Sequence, residues 1–316
     1  MKIEAYAKIN LTLEVLGKRA DGYHALRSIV QPIALADTLE IEETDDGVIA
    51  TDTGYGEGDL IVKAVKVLCG EAGVPRPRYQ DAQLNGDATL LSRSAEDIHL
   101  NGDATLLSRS AEDIHLNGDA TLLSRRNKKG LRIHVTKRIP AGGGLGGGSA
   151  DAAAILLALN ALWQLGYTPE ALSDLGAQVG SDVPALVLAQ HYRAPVLMEG
   201  RGERVSLLRQ PQPPTSTSRF LILANPGVHS STPAVFKAFV RSTYPSPKND
   251  LESPAVALYP EIGEALAALR AAGAREVQMT GSGATVFGWA ADESEAVRIA
   301  AEMKSRGYLA WTTKTL

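Results

Sequence analysis

Apolar and polar residues alternate along the first 44 residues as half-buried β-strands require. The alternation runs through residues 2–17 and 28–44, which predicts two long strands. Apolar residues then recur at helical spacing between residues 59 and 73. Residues 131–140 predict a further strand, which Pro140 ends. The N-terminal part of the chain therefore combines strands with helices.

The second half of the chain alternates between helical and extended patterns. Residues 149–165 are rich in helix formers, and residues 168–180 predict a shorter helix with Thr168 as N-cap and Pro169 in the first turn. Residues 190–218 contain RQPQPPTSTSRF, whose Pro, Ser and Thr content is typical of a loop or linker. Beyond it we predict strands at 220–227, 284–291 and 308–316, and helices at 232–242, 261–273 and 294–307. The pattern predicts an α+β chain with two lobes.

A tandem repeat interrupts this pattern. LNGDATLLSRSAEDIH occupies residues 84–99 and recurs letter for letter at 100–115, and a partial third copy covers 116–125. A period of 16 residues with fewer than three full copies matches no common solenoid. We interpret residues 84–129 as an expanded surface loop, where insertions are tolerated. A partner-binding appendage is the alternative, and no residue chemistry supports it.

The composition restricts the classes of protein to consider. The length of 316 residues is enough for one large domain or two ordinary ones, and the hydrophobic fraction of 44% is typical of a globular protein. A net charge of −4 provides no overall basic field for nucleic acid or anionic membrane. The single cysteine, Cys69, excludes an intrachain disulfide and a multi-cysteine metal site. The apolar runs are too short to span a bilayer and no secretory signal pattern opens the chain, so we expect a cytoplasmic enzyme or binding protein.

The stretch RIPAGGGLGGGSADAAA, which begins at residue 138, places six glycines at 142–148 directly before a predicted helix. A helix N-terminus offers unpaired N–H groups and a positive dipole end, and glycines let phosphate oxygens approach the backbone. A Walker A loop is excluded because no lysine follows the glycines. Gly142, Gly144 and Gly147 fit a dinucleotide fingerprint, but its acidic partner on the next strand is absent. A structural glycine hinge is a further alternative.

The loop from Pro140 to Gly146 also reads P-x-G-x-G-L-G, which resembles the second motif of the GHMP kinases, small-molecule kinases without a Walker A lysine. Further motifs follow the order of that family: AKINLTLEVLGKRADGYH, GSDVP, NPGVHSSTPAVF, NDLE and MTGSGATVFG. Together they resemble the branch that phosphorylates 4-diphosphocytidyl-2-C-methyl-D-erythritol. The resemblance covers nearly the whole chain apart from the repeat.

The resemblance implies a two-lobed α+β GHMP kinase fold. Residues 1–187 would form a ribosomal-protein-S5-domain-2-like lobe that binds ATP, and residues 188–316 the C-terminal lobe. It implies phosphoryl transfer from ATP, with Mg²⁺ expected beside the nucleotide, to the C2 hydroxyl of the substrate in the non-mevalonate isoprenoid pathway. The expected binding partner is this small molecule. We expect the protein to bind neither nucleic acid nor membrane and to be a monomer or a homodimer.

The family match also assigns roles to individual residues. Asp182 would be the general base, with Lys8 as its cationic partner. Tyr23 and Phe236 would stack on the cytosine, His24 would bind its edge, and no metal ligand is assigned. Asn10 and Thr232 would bind the methylerythritol and phosphate portions of the substrate. The ATP loop comprises Pro140, Ala141, Gly142, Gly143, Gly144, Leu145, Gly146, Gly147, Gly148 and Ser149.

Each catalytic assignment has a structural alternative. Asp182 could instead form an Asx-turn or cap a helix, and Ser149 could be a plain N-cap. Lys8 could be a lysine whose charged end lies at the surface. The sequence also departs from the family: Asp59 stands where an asparagine near the adenine is usual, and Ala150 replaces a second serine of the loop. Residues 186–203 are longer than the usual turn.

Three other functions compete with this reading. Another GHMP kinase substrate, such as mevalonate, homoserine or a sugar, is the nearest, although the DGYH and NDLE motifs speak against it. A nucleotide-binding protein without catalysis is the second. A nicotinamide-dependent oxidoreductase would need the glycine loop after the first strand of a parallel sheet, and here the loop lies mid-chain.

The surface-loop interpretation predicts that removing residues 84–99, one exact copy, changes the free energy of unfolding little. Loop-closure entropy changes by only about 0.6 kcal/mol per doubling of loop length, so we expect a shift below about 1 kcal/mol and an unchanged kcat/KM. Thermal unfolding and steady-state kinetics measure both quantities. A cooperative loss of several kcal/mol would instead mean that the copies stack and bury their leucines.

Overall fold

The computed structural model describes residues 1–73, 78–79, 130–208, 218–240 and 248–316. The repeat, the predicted insertion at 84–129 and most of the linker sequence RQPQPPTSTSRF lie outside these residues. Within the described residues, no helix combines the length and the apolar character that crossing a membrane requires.

The first sheet contains the two long strands that the alternating pattern predicts. Its strands are β1 (Lys2–Lys18), β2 (His24–Thr44), β3 (Val48–Thr51), β4 (Arg78–Tyr79), β5 (Gly130–Thr136), β6 (Val196–Gly200) and β7 (Arg204–Leu207). The order is β4-β3-β5-β2-β6-β7, with β1 paired to β2. β3 runs parallel to β4 and β5, and the other pairs are antiparallel.

Four helices pack against this sheet and complete the first core. They are α1 (Leu60–Glu71), α2 (Gly147–Leu162), α3 (Pro169–Gly176) and α4 (Val183–Tyr192). The predicted start of α3 is confirmed, because the Thr168 hydroxyl accepts a hydrogen bond from Ala171 N at 3.2 Å and Pro169 lies in the first turn. The pattern missed α4, whose residues from Val183 to Gln190 are all buried. A helix that is buried all round has no polar face to reveal its period.

The second sheet is antiparallel, in the order β11-β8-β10-β9. Its strands are β8 (Phe220–Asn225), β9 (Arg275–Met279), β10 (Val286–Trp289) and β11 (Leu309–Lys314). The helices of this lobe are α5 (Thr232–Ala238), α6 (Glu252–Leu258), α7 (Pro260–Ala271) and α8 (Glu293–Ser305). They form a second hydrophobic core with the sheet. β9 and α6 were not predicted from the sequence.

The division between the two sheets comes later in the chain than the predicted lobe boundary at 187/188. That boundary lies within α4, and β6 and β7 follow it but belong to the first sheet. These strands also lie in the segment 190–218, which the sequence pattern did not resolve into strands. We therefore propose the lobe boundary between residues 207 and 220.

The NDLE motif joins the two lobes through backbone and side-chain hydrogen bonds. Leu13 of β1 donates its N–H to Lys248 O at 2.7 Å and accepts the Asp250 N–H at 2.9 Å. The buried Asn249 amide donates to the carbonyls of Met279 and Gly281, both at 2.9 Å. β1 is thereby held against the glycine-containing turn 280–285 of the second lobe.

Candidate active site

A cavity of about 900 Å³ opens where the two lobes meet around the glycine loop 142–148. Its size is suited to small-molecule substrates. Most of the predicted site residues line it: Lys8, Asn10, Pro140, Ala141, Gly142, Gly143, Gly144, Gly146, Gly147, Gly148, Ser149, Asp182, Thr232 and Phe236. Leu145 is instead fully buried in the first core. Tyr23 and His24 do not line the cavity.

Lys8 and Asp182 form an ion pair at the centre of the predicted site. Lys8 Nζ lies 3.4 Å from Asp182 Oδ2, and the lysine side chain is 4% exposed, so a surface lysine is ruled out. Burial of an ammonium group is unfavourable unless it is paired and hydrogen-bonded. Lys8 Nζ also donates to Asn10 Oδ1 at 2.7 Å, and Asn10 Nδ2 donates to Ser28 Oγ at 2.7 Å. This chain of contacts holds the ammonium group towards Asp182.

Irregular strand pairing directs Lys8 and Asn10 into the cavity. The register between β1 and β2 shifts between Tyr6 and Lys8 and again between Asn10 and Thr12. Register shifts of this kind re-aim side chains and free backbone groups from the ladder. Lys8 N donates to Leu145 O at 3.1 Å, and Asn10 N donates to the Thr280 hydroxyl at 3.0 Å. The strand is therefore hydrogen-bonded to both glycine motifs at Lys8 and Asn10.

Asp182 occupies the N-cap position of α4 without capping it. Its backbone is helical and its carboxylate makes no side-chain hydrogen bond to the first turn. The capping alternative for Asp182 is therefore not realised. Its side chain remains partly exposed to the cavity and faces Lys8. An ionised carboxylate that is held by one cation and open to a substrate can accept a proton.

The glycine loop packs against its surroundings too closely for side chains. A Cβ on Gly144, where φ is +74°, would lie 2.5 Å from Thr280 O. A Cβ on Gly143 would lie 2.6 Å from the Thr285 hydroxyl, and one on Gly146 would lie 3.2 Å from the Lys8 side chain. Separations under 3.0 Å do not occur for real Cβ atoms, so Gly143 and Gly144 are required by packing.

The loop ends at the open N-terminus of α2. Gly146 is the N-cap, with φ of +72° and no side chain to bond the first-turn amides. Ser149 lies within the first turn and lines the cavity, so the plain N-cap alternative for Ser149 is not realised. An uncapped helix N-terminus that faces a cavity attracts anionic groups through its N–H donors and its dipole.

A second charged cluster beside the loop escaped the sequence reasoning. Lys137 Nζ lies 2.5 Å from Asp37 Oδ2 and 2.8 Å from Asp151 Oδ2. Asp37 is fully buried and also accepts the N–H groups of Arg138 and Ile139. Oδ1 of Asp151 is buried and has no hydrogen-bond partner among the described residues. Burial of this carboxyl, opposed by Lys137 and reinforced by Asp37, raises the pKa of Asp151 to about 7.

The residues predicted to hold the cytosine come from two places: Tyr23 and His24 from the turn between β1 and β2 and the first residue of β2, and Phe236 from α5. Tyr23 is 60% exposed, and the Arg201 guanidinium carbon lies 5.2 Å from its ring centroid. The ring of His24 stacks on Phe236 at 5.2 Å with an interplanar angle of 20°. The Thr232 and Ser282 hydroxyl oxygens lie 2.7 Å apart at the cavity wall. Contact of these groups with a substrate stays a prediction.

Asp59 completes the cavity wall near the start of α1. Its Oδ1 accepts the Ile61 N–H at 2.8 Å and caps the helix, and its Oδ2 accepts the hydroxyls of Thr51 and Thr53. Both carboxylate oxygens are thus engaged within the protein. Asp59, which stands where the family usually has an asparagine, therefore has a structural role in this protein.

Models of GHMP kinase domains match the chain in two segments. The model described as GHMP kinases N terminal domain matches residues 115–190, and that described as GHMP kinases C terminal matches residues 234–309. The first segment includes the glycine loop and Asp182, and the second includes the turn 280–285.

Relatives of similar length match the whole chain. A protein of Citrifermentans bemidjiense named 4-diphosphocytidyl-2-C-methyl-D-erythritol kinase is 34% identical over 335 residues, covering 100% of this chain and 99% of the relative. A protein of the same name from Moorella thermoacetica is 36% identical over 345 residues, with the same coverage.

Solved structures agree with these matches. A crystal structure of 4-(cytidine 5'-diphospho)-2C-methyl-D-erythritol kinase is 29% identical, with a TM-score of 0.72 and coverage of 100% of this chain and 99% of that chain. The mevalonate kinase of Methanococcus jannaschii, at 13% identity and a TM-score of 0.63 with coverage of 100% and 98%, shares the fold alone. The predicted α+β GHMP kinase fold is confirmed.

The raised pKa of Asp151 predicts a pH-dependent stability. The folded protein binds this proton more tightly than the unfolded chain, whose carboxyl titrates near 3.8, so the free energy of unfolding falls as pH rises from about 4 to about 7. Asp151→Asn removes this loss, because the amide carries no charge. We therefore expect the variant to gain more in Tm over the native protein at pH 8 than at pH 5.

Thermal unfolding without nucleotide or metal, at both pH values, measures the difference. The control is Asp174→Asn, which changes an exposed aspartate of α3 and should shift Tm equally at the two pH values. A gain for Asp151→Asn that is no larger at pH 8 would contradict the assignment.

Proposed function

The chain belongs to the 4-diphosphocytidyl-2-C-methyl-D-erythritol kinases, a branch of the GHMP kinases, and we propose that it transfers a phosphoryl group from ATP to the C2 hydroxyl of that compound. The reaction is a step of the non-mevalonate isoprenoid pathway. The observation that carries the proposal is the Lys8–Asp182 ion pair, which lies in the same cavity as the uncapped N-terminus of α2. Phosphoryl transfer needs this combination of a hydroxyl-orienting base and anion-binding donors.

Asp182 accepts the proton of the attacking hydroxyl in this proposal. The hydroxyl oxygen forms the new bond to the γ-phosphorus as the bond to the leaving ADP oxygen breaks, and the proton passes to the Asp182 carboxylate. Lys8, 3.4 Å away, orients the carboxylate and offsets negative charge on the transferring group. Asn10 keeps the lysine in place through its 2.7 Å hydrogen bond.

The glycine loop and the first turn of α2 bind the phosphates of ATP. Backbone N–H groups at glycine positions approach phosphate oxygens without side-chain obstruction, and the helix dipole adds attraction. Mg²⁺ neutralises phosphate charge in such reactions. The Ser149 hydroxyl beside the loop supplies an oxygen donor that suits Mg²⁺, and the described residues contain no group of three or more acidic, His or Cys side chains to hold a metal alone. This donor set fits a cation that is held mainly by phosphates and water.

Tyr23, His24 and Phe236 recognise the cytosine in the proposed complex. A lone base is bound by stacking on aromatic rings and by hydrogen bonds to its edge. The ring contact between His24 and Phe236, 5.2 Å between centroids, joins the turn after β1 to α5 of the other lobe. Thr232, at the start of α5, and Asn10 line the same cavity as Phe236 and the ion pair.

Substrate comparison distinguishes this activity from its alternatives. We expect ADP release with 4-diphosphocytidyl-2-C-methyl-D-erythritol and none above background with mevalonate or homoserine. ADP release with mevalonate alone would favour the other GHMP kinase activity. ATP binding without ADP release from any acceptor would favour a nucleotide-binding protein. Oligomeric state, absence of nucleic-acid binding and a cytoplasmic location stay predictions.

Asp182→Asn keeps the shape of the side chain and removes the proton acceptor. We expect kcat to fall by roughly 10²–10⁴, the range for loss of a general base. Binding of a nonhydrolysable ATP analogue, measured by calorimetry, should be largely retained. A kcat near that of the native enzyme would exclude Asp182 from the proton transfer.

Tyr23→Ala removes the predicted stacking surface for cytosine. Base–aromatic stacking is worth about 1–3 kcal/mol, so KM for the cytidyl substrate should rise by about 5–150-fold. KM for ATP should stay nearly constant, and Tyr23→Phe, which keeps the ring, should behave like the native enzyme. Equal increases in both KM values would indicate a general packing defect instead.

A further inference from the structure

The cavity wall carries three lysine or arginine side chains among the described residues, and two of them are already paired. These residues are Lys8, Lys137 and Arg201. Lys8 pairs with Asp182, and Lys137 pairs with Asp37 and Asp151. No carboxylate of the described residues lies within ion-pairing distance of the Arg201 guanidinium. Its nearest aromatic contact is the Tyr23 ring, 5.2 Å from the guanidinium carbon.

The turn that carries Arg201 is fixed against the loop of Asp182. This turn joins β6 to β7, and its Gly202 is buried with φ of +118°. A Cβ on Gly202 would lie 1.9 Å from the carbonyl oxygen of Ser181, so the two backbones are in direct contact. Ser181 immediately precedes Asp182. The position of Arg201 is therefore set relative to the proposed base.

The same turn is also tied to the turn that carries Tyr23. Glu203 accepts a hydrogen bond from Arg201 N, and its Oε1 accepts one from Arg19 Nη1 at 3.0 Å. Arg19 Nε in turn donates to Asp21 at 3.2 Å, and Asp21 accepts the Tyr23 N–H at 3.1 Å. Arg201 thus stands on a segment that is anchored both to the proposed cytosine site and to the loop of the proposed base.

We propose that Arg201 binds the diphosphate of the cytidyl substrate and determines selectivity for it. This inference rests on the proposed function, which supplies a substrate whose diphosphate lies between the cytosine and the reacting portion. A guanidinium group is always charged and pairs with phosphate oxygens in a bidentate manner. Its position over the Tyr23 ring presents the group beside the stacked base. The two lysines of the wall are engaged by carboxylates, whereas Arg201 acts on Asp21 only at longer range and makes no ion pair with a described carboxylate, which leaves its guanidinium available to a phosphate.

Binding of cytidine and of CDP, compared by calorimetry, isolates the diphosphate contribution. Arg201→Ala should weaken CDP binding by about 10–100-fold, the range for loss of charged hydrogen bonds, and cytidine binding by less than about threefold. Arg201→Lys keeps the charge without the fork geometry, so its CDP affinity should be intermediate. Tyr23→Ala, unlike Arg201→Ala, should weaken cytidine binding clearly as well as CDP binding, because both ligands stack.

Steady-state kinetics provide the second readout. Arg201→Ala should raise KM for the cytidyl substrate and leave kcat and KM for ATP nearly constant, since the contact is made equally in the ground and transition states. Arg204→Ala is the matched control: it removes an exposed arginine of the same hairpin that is not part of the cavity wall. Its CDP affinity and KM values should equal those of the native enzyme.

The outcomes separate this inference from the proposed function. Equal losses of cytidine and CDP affinity in Arg201→Ala, or unchanged CDP affinity, would overturn the role of Arg201 while the native enzyme still phosphorylates the cytidyl substrate. A native protein that neither binds CDP nor releases ADP with that substrate would contradict the proposed function, and the inference would fail with it.

Discussion

The arrangement of the molecule depends on one steric constraint, the close approach of the glycine loop to both lobes. Gly144 lies against the carbonyl of Thr280 and Gly143 against the Thr285 hydroxyl, at separations that leave no space for a Cβ. On its other side the loop receives the N–H of Lys8 through Leu145 O. Because the loop is thin, β1 and the turn 280–285 come within hydrogen-bonding distance of the same backbone. The cavity forms where these three segments meet, next to the open end of α2.

The charges of the cavity follow from this packing. Lys8 is buried by the loop and needs partners, which Asp182 and Asn10 provide at 3.4 Å and 2.7 Å. Burial of the Asp151 carboxyl raises its pKa, and the single cation Lys137, which is shared with the buried Asp37, opposes this rise only in part. Backbone amides, the helix dipole and Arg201 provide the remaining positive potential for phosphates. In the proposed complex, the anionic groups are therefore bound mainly by groups whose orientation is set by the fold.

Much of the fold could be predicted from the sequence, since local pattern and turn chemistry decide it. β1 and β2 follow from alternation, and the start of α3 follows from Thr168 and Pro169. The pattern failed where burial is complete or elements are short. α4 is buried on all sides from Val183 to Gln190. β6 and β7 are strands of five and four residues that pair as a hairpin, and the pairing of β6 with β2 is nonlocal. No local signal places β6 and β7 in the first sheet, so the change from the first sheet to the second comes later in the chain than the lobe boundary that the sequence predicts.

The sequence by itself determined the family, the order of its motifs and the residue types available for chemistry. A run of glycines, a lysine in an apolar strand and an aspartate two residues before a proline are local features, and each is readable along the chain. Only the tertiary structure decided which of these residues meet. The β1/β2 register shifts lie beside Lys8, whose ammonium group meets Asp182, 174 positions away in the chain, and the Asp182 carboxylate does not cap α4. The Lys137 cluster and the contact between Arg201 and Tyr23 join distant segments, and pairings across such separations depend on packing that no local pattern encodes.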